Sequence, residues 1–201
     1  MHRRLLSLIS LLLIVSALPV AASQFIDKPF DEVARESALI VRGTFGQTWS
    51  AWDDAHEVIY TYSTVRVGRY FGEATGPDTL VVREVGGTVD GYTMEAVGFP
   101  MIREGQDVVL LLAKWDGASD YRIHAYNQGK FLVRLRGGAE VLVADPETQG
   151  SARLERGGHG GVRAESVDDG APGLRLDEFA AMVDAARAGE RPVLDHQRVN
   201  Q

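Results

Sequence analysis

Apolar residues follow three different rhythms along this chain. Leu5 to Val15 is almost continuously apolar. Between residues 39 and 144 the apolar positions recur mainly at every second residue, and between 176 and 186 at every third or fourth. Side chains of a strand alternate between two faces, whereas those of a helix return to one face after about 3.6 residues, so each rhythm predicts a different element.

The clearest strand is "EVIYTYSTVRVGRYF", where Ile59, Thr61, Ser63, Val65 and Val67 alternate with Tyr60, Tyr62, Thr64 and Arg66. With "ALIVRGTFGQTWSAW" before it and the polar turn "DDAH" between them, it predicts a long hairpin. "TLVVREV" follows the turn "TGPD" as a further strand. "QDVVLLLAKW" is apolar on both faces from Val108 to Ala113, so it predicts a strand covered on both sides by barrel closure or by a helix. "YRIHAYN" and "KFLVRL" are separated by a bend or bulge at Gln128-Gly129, and "AEVLVA" closes the series. Seven or eight short strands at regular spacing predict a mainly β, antiparallel barrel or sandwich.

Two helices flank it. "PFDEVARES" places a proline at the opening position and Phe30, Val33 and Ala34 on one face. "LRLDEFAAMVDAARA", residues 174–188, predicts a C-terminal helix with Asp177 as N-cap and Phe179, Met182, Val183 and Ala186 as the stripe that packs on the barrel. Tyr60, Tyr62 and Tyr70 share one face of the long strand and are expected beneath this helix, against Phe179 and Met182.

The N-terminal run changes the picture of where the protein works. Arg3 and Arg4, the apolar stretch Leu5–Val15 and the small residues around Pro19–Ser23 have the layout of a secretory signal peptide, with cleavage near Ala22 or Ser23. The apolar core is short of the about 20 residues that span a bilayer. The expected organisation is therefore a signal peptide over 1–23, a β-barrel domain over 24–144, a Gly-rich linker or flap over 145–173, the helix over 174–188 and a flexible tail over 189–201. The expected location is extracytoplasmic, periplasmic or secreted, without membrane insertion after cleavage. The chain has no cysteine, so burial rather than disulfides must hold an exported domain together. Loss of Arg3 and Arg4 would leave 19 basic against 28 acidic side chains, a net charge of −9. That balance, with no Lys/Arg run, argues against a nucleic-acid partner.

Candidate chemistry centres on "EVGGTVDGYTMEAVGFP", residues 84–100. Its spacing from Gly86 to Gly91 imitates a phosphate-binding loop, but Tyr92 stands where such a loop needs lysine, and no helix pattern follows. The glycines at 86, 87 and 91 instead predict positive-φ positions in a wide turn. Asp53, Asp54, His56 and Glu57 read as a solvated turn rather than a metal site. Neither they, His124 nor His159 match a zinc or calcium pattern, so no metal and no cofactor are expected. No nucleophile elbow or triad context exists. Glu84 and Glu95 flank the glycine loop and supply an alternative reading as a hydrolase's carboxylate pair.

The succession "LIVRGTF", "VIYTYSTVRV", "LVVREVGGTVDGYTMEAVGFP", "REGQDVVLLLAKW", "NQGKFLV" and "LRLDEFAAMV" resembles a family of uncharacterised exported bacterial proteins, some of which occur alongside matrixin-like metalloproteases. The arrangement is also similar to the OB-fold/netrin type of barrel found in tissue inhibitors of metalloproteases. What the resemblance implies is an OB-like/netrin-like barrel with helices packed on it. Those inhibitors act through an N-terminal cysteine, which this chain lacks, so none of their functional residues maps here. The expected function is a non-catalytic binding or accessory domain that meets a protein or cell-envelope partner through barrel-rim loops. Candidate contact residues are Gly86, Gly87, Asp90, Tyr92, Phe99 and Pro100, with Trp49 and Trp52 at the first hairpin. A structural module attached to a protease system is a further alternative.

Overall fold

The computed structural model describes residues 28–96, 98–145 and 173–190. The expected signal peptide, the interior of the expected linker and the expected tail beyond 190 lie outside the described residues. Ten strands run in chain order: β1 (Leu39–Trp52), β2 (Ile59–Tyr70), β3 (Thr79–Val85), β4 (Gly87–Val89), β5 (Tyr92–Met94), β6 (Asp107–Lys114), β7 (Tyr121–Ile123), β8 (Lys130–Arg136), β9 (Ala139–Ala144) and β10 (Leu174–Arg175). Helix α1 spans Phe30–Glu36 and α2 spans Leu176–Arg187.

Five strands close a barrel in the order β1-β2-β3-β7-β6, with β6 returning to β1 through Leu39↔Leu112 to Thr44↔Asp107. This is the OB-type connectivity. The sheet is mixed rather than wholly antiparallel, because β3 meets β7 in parallel at Val82↔Tyr121. Beyond the barrel, β8, β9 and β10 extend the sheet from the other edge of β6. A 3₁₀ turn, Tyr126–Gly129, separates β7 from β8 at the break expected around Gln128-Gly129. Gly129 is required there, since a Cβ would fall 2.1 Å from the His124 carbonyl oxygen.

Strand β6 shows why its residues are apolar on both faces. Val108, Leu110 and Leu112 enter the barrel interior with Val41, Phe45, Val65, Leu80, Val82 and Ile123. Val109 and Leu111 face the other way, into a second core with Ile40, Phe71, Phe131 and the two helices. Phe179 of α2 is the hub of that core, with ring centroids 5.5 Å from Phe30, 5.2 Å from Phe71 and 5.9 Å from Phe131. The expected stripe Phe179, Met182, Val183 and Ala186 is wholly buried.

Three local expectations are corrected. The N-cap of α2 is Arg175 rather than Asp177. Asp177 lies in the first turn, where its charge favours the helix N-terminus and Arg175, 3.0 Å away, pairs with it. Tyr60, Tyr62 and Tyr70 are not beneath α2. That position is filled by the phenylalanines. The three tyrosines do not share one face, since Tyr60 and Tyr62 join an outer ring array while Tyr70, past the register shift in β2, packs against the barrel core. The glycine loop is not an open turn but a small hairpin, β4–β5, with Val89↔Tyr92 as its last pair.

Candidate functional site

The register of the first hairpin decides which side chains share a face. Trp49 pairs with Tyr62 and Ala51 with Tyr60, while Tyr62 pairs with Arg83 across β3. Period two then places Trp49, Tyr60, Tyr62 and Arg83 on the outer surface. The alternate set, Ser50, Thr61 and Glu84, points inward.

On the outer face the rings form a continuous array. Trp49 stacks on Tyr62 with centroids 5.4 Å apart and planes 7° from parallel. Tyr62 meets Tyr60 edge-on at 6.5 Å, and Tyr60 meets Trp115, from the β6–β7 loop, edge-on at 5.6 Å. The Arg83 guanidinium lies within this array, 4.9 Å from the Tyr60 ring, 5.8 Å from Tyr62 and 4.8 Å from Trp115. Asp120 Oδ2 sits 2.9 Å from Arg83 Nε but outside hydrogen-bond alignment, so ionic attraction and the ring faces hold this charge. Trp115 Nε1 donates to the Arg83 carbonyl oxygen at 3.1 Å, which fixes the β6–β7 loop over β3. Arg122 covers Trp115 at 5.5 Å. Trp49, at the edge of the array, is 40% exposed.

The β4–β5 hairpin folds against the end of the same strands. Asp90 and Gly91 have φ of 51° and 82°, the paired positive values of a two-residue type I′ turn. Gly87 has φ 137°, and a Cβ there would stand 2.5 Å from Thr61 Oγ1 and 2.6 Å from Ser50 Oγ, so the hairpin backbone rests directly on β1 and β2. Thr61 Oγ1 donates to the Gly86 carbonyl at 2.7 Å. Tyr92 is 66% exposed and meets Trp52 edge-on at 5.9 Å, and the His56 ring also lies 5.9 Å from Trp52.

Of the residues singled out from sequence, Trp52 and Tyr92 come together at the hairpin end, and Trp49 stands two residues along β1 from Ala51, opposite Tyr62. Gly87 and Asp90 shape the hairpin that presents Tyr92. Gly86 and Pro100 are buried, and half-buried Phe99 packs on Tyr126 of the 3₁₀ turn at 4.9 Å. Sequence reasoning missed Arg83 and Trp115 and placed Tyr60 and Tyr62 elsewhere. The alternation of β1 against β2 carried the signal for the tyrosines, but Arg83 and Trp115 join only through the long-range pairing of β3 with β7.

Glu84 and Glu95 do not share a site. Glu84 points into the barrel interior and is 4% exposed, whereas Glu95 is exposed after β5. A glycosidase-type pair needs both carboxyls facing one substrate. Burial pushes the Glu84 carboxyl up to about 8, partly offset by the Ile123 amide, which donates to Glu84 Oε1, and by Arg122. His124 is likewise a structural group, with Nε2 3.0 Å from Glu36 Oε2. Asp53 Oδ1 accepts the amides of Glu57 at 2.7 Å and Val58 at 3.1 Å, the bonding of a turn. No cluster of three metal-ligating side chains occurs among the described residues, and His159 lies outside them. No helix among those residues is long and apolar enough to cross a membrane.

The fold and this surface define an OB-type barrel with an aromatic–arginine platform on β1–β3. No protein-family model matches the chain, and no curated protein matches it significantly.

Proposed function

We propose that the protein is an exported, non-catalytic binding module that meets a protein or cell-envelope partner through the aromatic surface of β1–β3 and the β4–β5 hairpin. One observation carries this reading. Trp49 is a large, exposed ring stacked on the interlocked array of Tyr62, Tyr60 and Trp115, and Tyr92 is a second exposed ring, held against Trp52 on the neighbouring β4–β5 hairpin. Rigid rings lose little conformational freedom on binding and supply large contact areas, which makes tryptophan and tyrosine effective anchors. The β2–β3 face flanked by the first hairpin turn and the β6–β7 loop is also the usual ligand face of OB-type barrels. The signal-like N-terminus supports export.

The test compares retention of isolated cell-envelope fractions by immobilised wild type and by Trp49→Ala and Tyr92→Ala variants. Each substitution is expected to weaken retention roughly tenfold, as loss of an aromatic anchor does. Equal retention by all three proteins would remove this surface from consideration. Recovery of a chain starting near Gln24 from periplasm or medium tests export, and a chain retaining Arg3 and Arg4 in the cytoplasm would refute it.

A further inference from the structure

The outer face of β2 continues past its tyrosines into a basic notch. Arg66 lies opposite Thr44 and Arg69 opposite Arg42, but Gly43 pairs with Val67, so Gly68 is the extra residue of a β-bulge. On a regular strand, side chains three residues apart face opposite ways. The bulge cancels that offset and sets Arg66 and Arg69 on one face, both exposed. Gly68 adds no side chain between them, and an open cleft of about 540 Å³ is left across β1 and β2.

Three guanidinium groups thus meet in one cleft, two of them directly opposite, an arrangement that costs stability unless anions neutralise it. Among the described residues, acids neutralise only one. Asp107 takes Arg42 Nε at 3.3 Å and Nη2 at 2.8 Å, and Glu140 takes Nη1 at 2.7 Å. Arg66 and Arg69 form no ion pair among the described residues. Arg69 only lies over the Phe71 ring, at 4.7 Å. In a chain of net charge −7, two neighbouring guanidinium forks without an ion pair among the described residues form a local exception.

We propose that the Arg66–Arg69 notch is a binding site for an oxyanion group, a carboxylate or a phosphate, on a ligand from outside the chain. Each guanidinium offers a planar pair of donors that matches such a group. With Arg42 already taken by Asp107 and Glu140, the attraction for an anion comes from Arg66 and Arg69. Thr44 lines the same cleft. The site uses none of the residues of the proposed partner surface and stands independently of it.

Titrating the purified protein with inorganic phosphate and, separately, with acetate, while following the arginine Nε–Hε NMR signals at matched ionic strength, tests this. Saturable shifts at Arg66 and Arg69 are expected with one anion or both, and the one that saturates names the preferred group. Arg66→Ala and Arg69→Ala should each weaken the response roughly tenfold. Arg134→Ala, on an exposed position of β8, should leave it unchanged. Both notch positions are exposed, so amide spectra of the variants should overlay on wild type away from the substitutions. Non-saturating shifts equal to those produced by chloride, or a saturable response that survives both alanine variants, would overturn the proposal.

Discussion

Glu84 shows how one inward-facing acid couples this fold to pH. Its carboxyl receives the Ile123 amide where β3 and β7 share the single paired position Val82↔Tyr121, so the side chain supplements a sparse ladder. Burial raises its pKa from 4.5 to about 8. Between those values the unfolded chain has released the proton while the folded chain keeps it, so the folded state binds more protons. Stability therefore falls as pH rises through that window, and the group's contribution is fully present only below about 4.5. Glu84→Gln keeps an acceptor for Ile123 and has no proton to lose. Urea titrations across pH 4–9 are expected to show wild type losing stability while the variant stays level in this respect, with about 3 kcal/mol separating their trends by pH 7. Parallel pH profiles would contradict a buried neutral carboxyl.

At the scale of elements, the β4–β5 hairpin depends on contact too close for any side chain. Gly87→Ala forces a methyl group into the Ser50 and Thr61 hydroxyls at a positive φ. It is expected to destabilise the protein by about 2 kcal/mol and to free Tyr92 from Trp52, visible as a change in tryptophan emission. An unchanged melting curve would mean the hairpin does not rest there. Strand and helix periodicities were legible in the sequence because they are local. Ile59–Val67 alternates visibly, and Phe179, Met182, Val183 and Ala186 recur at helical spacing. The Val-Asp-Gly-Tyr type I′ signal was also present, although the glycines around it read as a wider turn. The Arg66–Arg69 notch was not legible. Three-residue spacing on a strand says opposite faces, and only the pairing partner reveals the bulge at Gly68.

For the whole molecule, two cores share β6, and the helices close the outer one. Phe179 joins α1, β8 and the end of β2 through three ring contacts, so Phe179→Ala is expected to cost about 3–5 kcal/mol in denaturant unfolding. A loss within the surface-mutation scatter of about 0.5 kcal/mol would show that α2 is not a structural lid. The double-faced strand Val108–Ala113 announced that both faces are covered, by barrel closure or by a helix, and the fold uses both. Which aromatic residues lay under the helix depended on how far β1 and β2 coil before reaching it. That global geometry placed phenylalanines beneath α2 and turned Trp49, Tyr60 and Tyr62 outward as the candidate surface. Hydrogen exchange of the protein free and bound to envelope material tests that surface most directly. Protection is expected to concentrate on residues 48–62, on 83 and on 92–94 and 115. Protection confined to α2 and β8–β9, with those segments unchanged, would contradict the account.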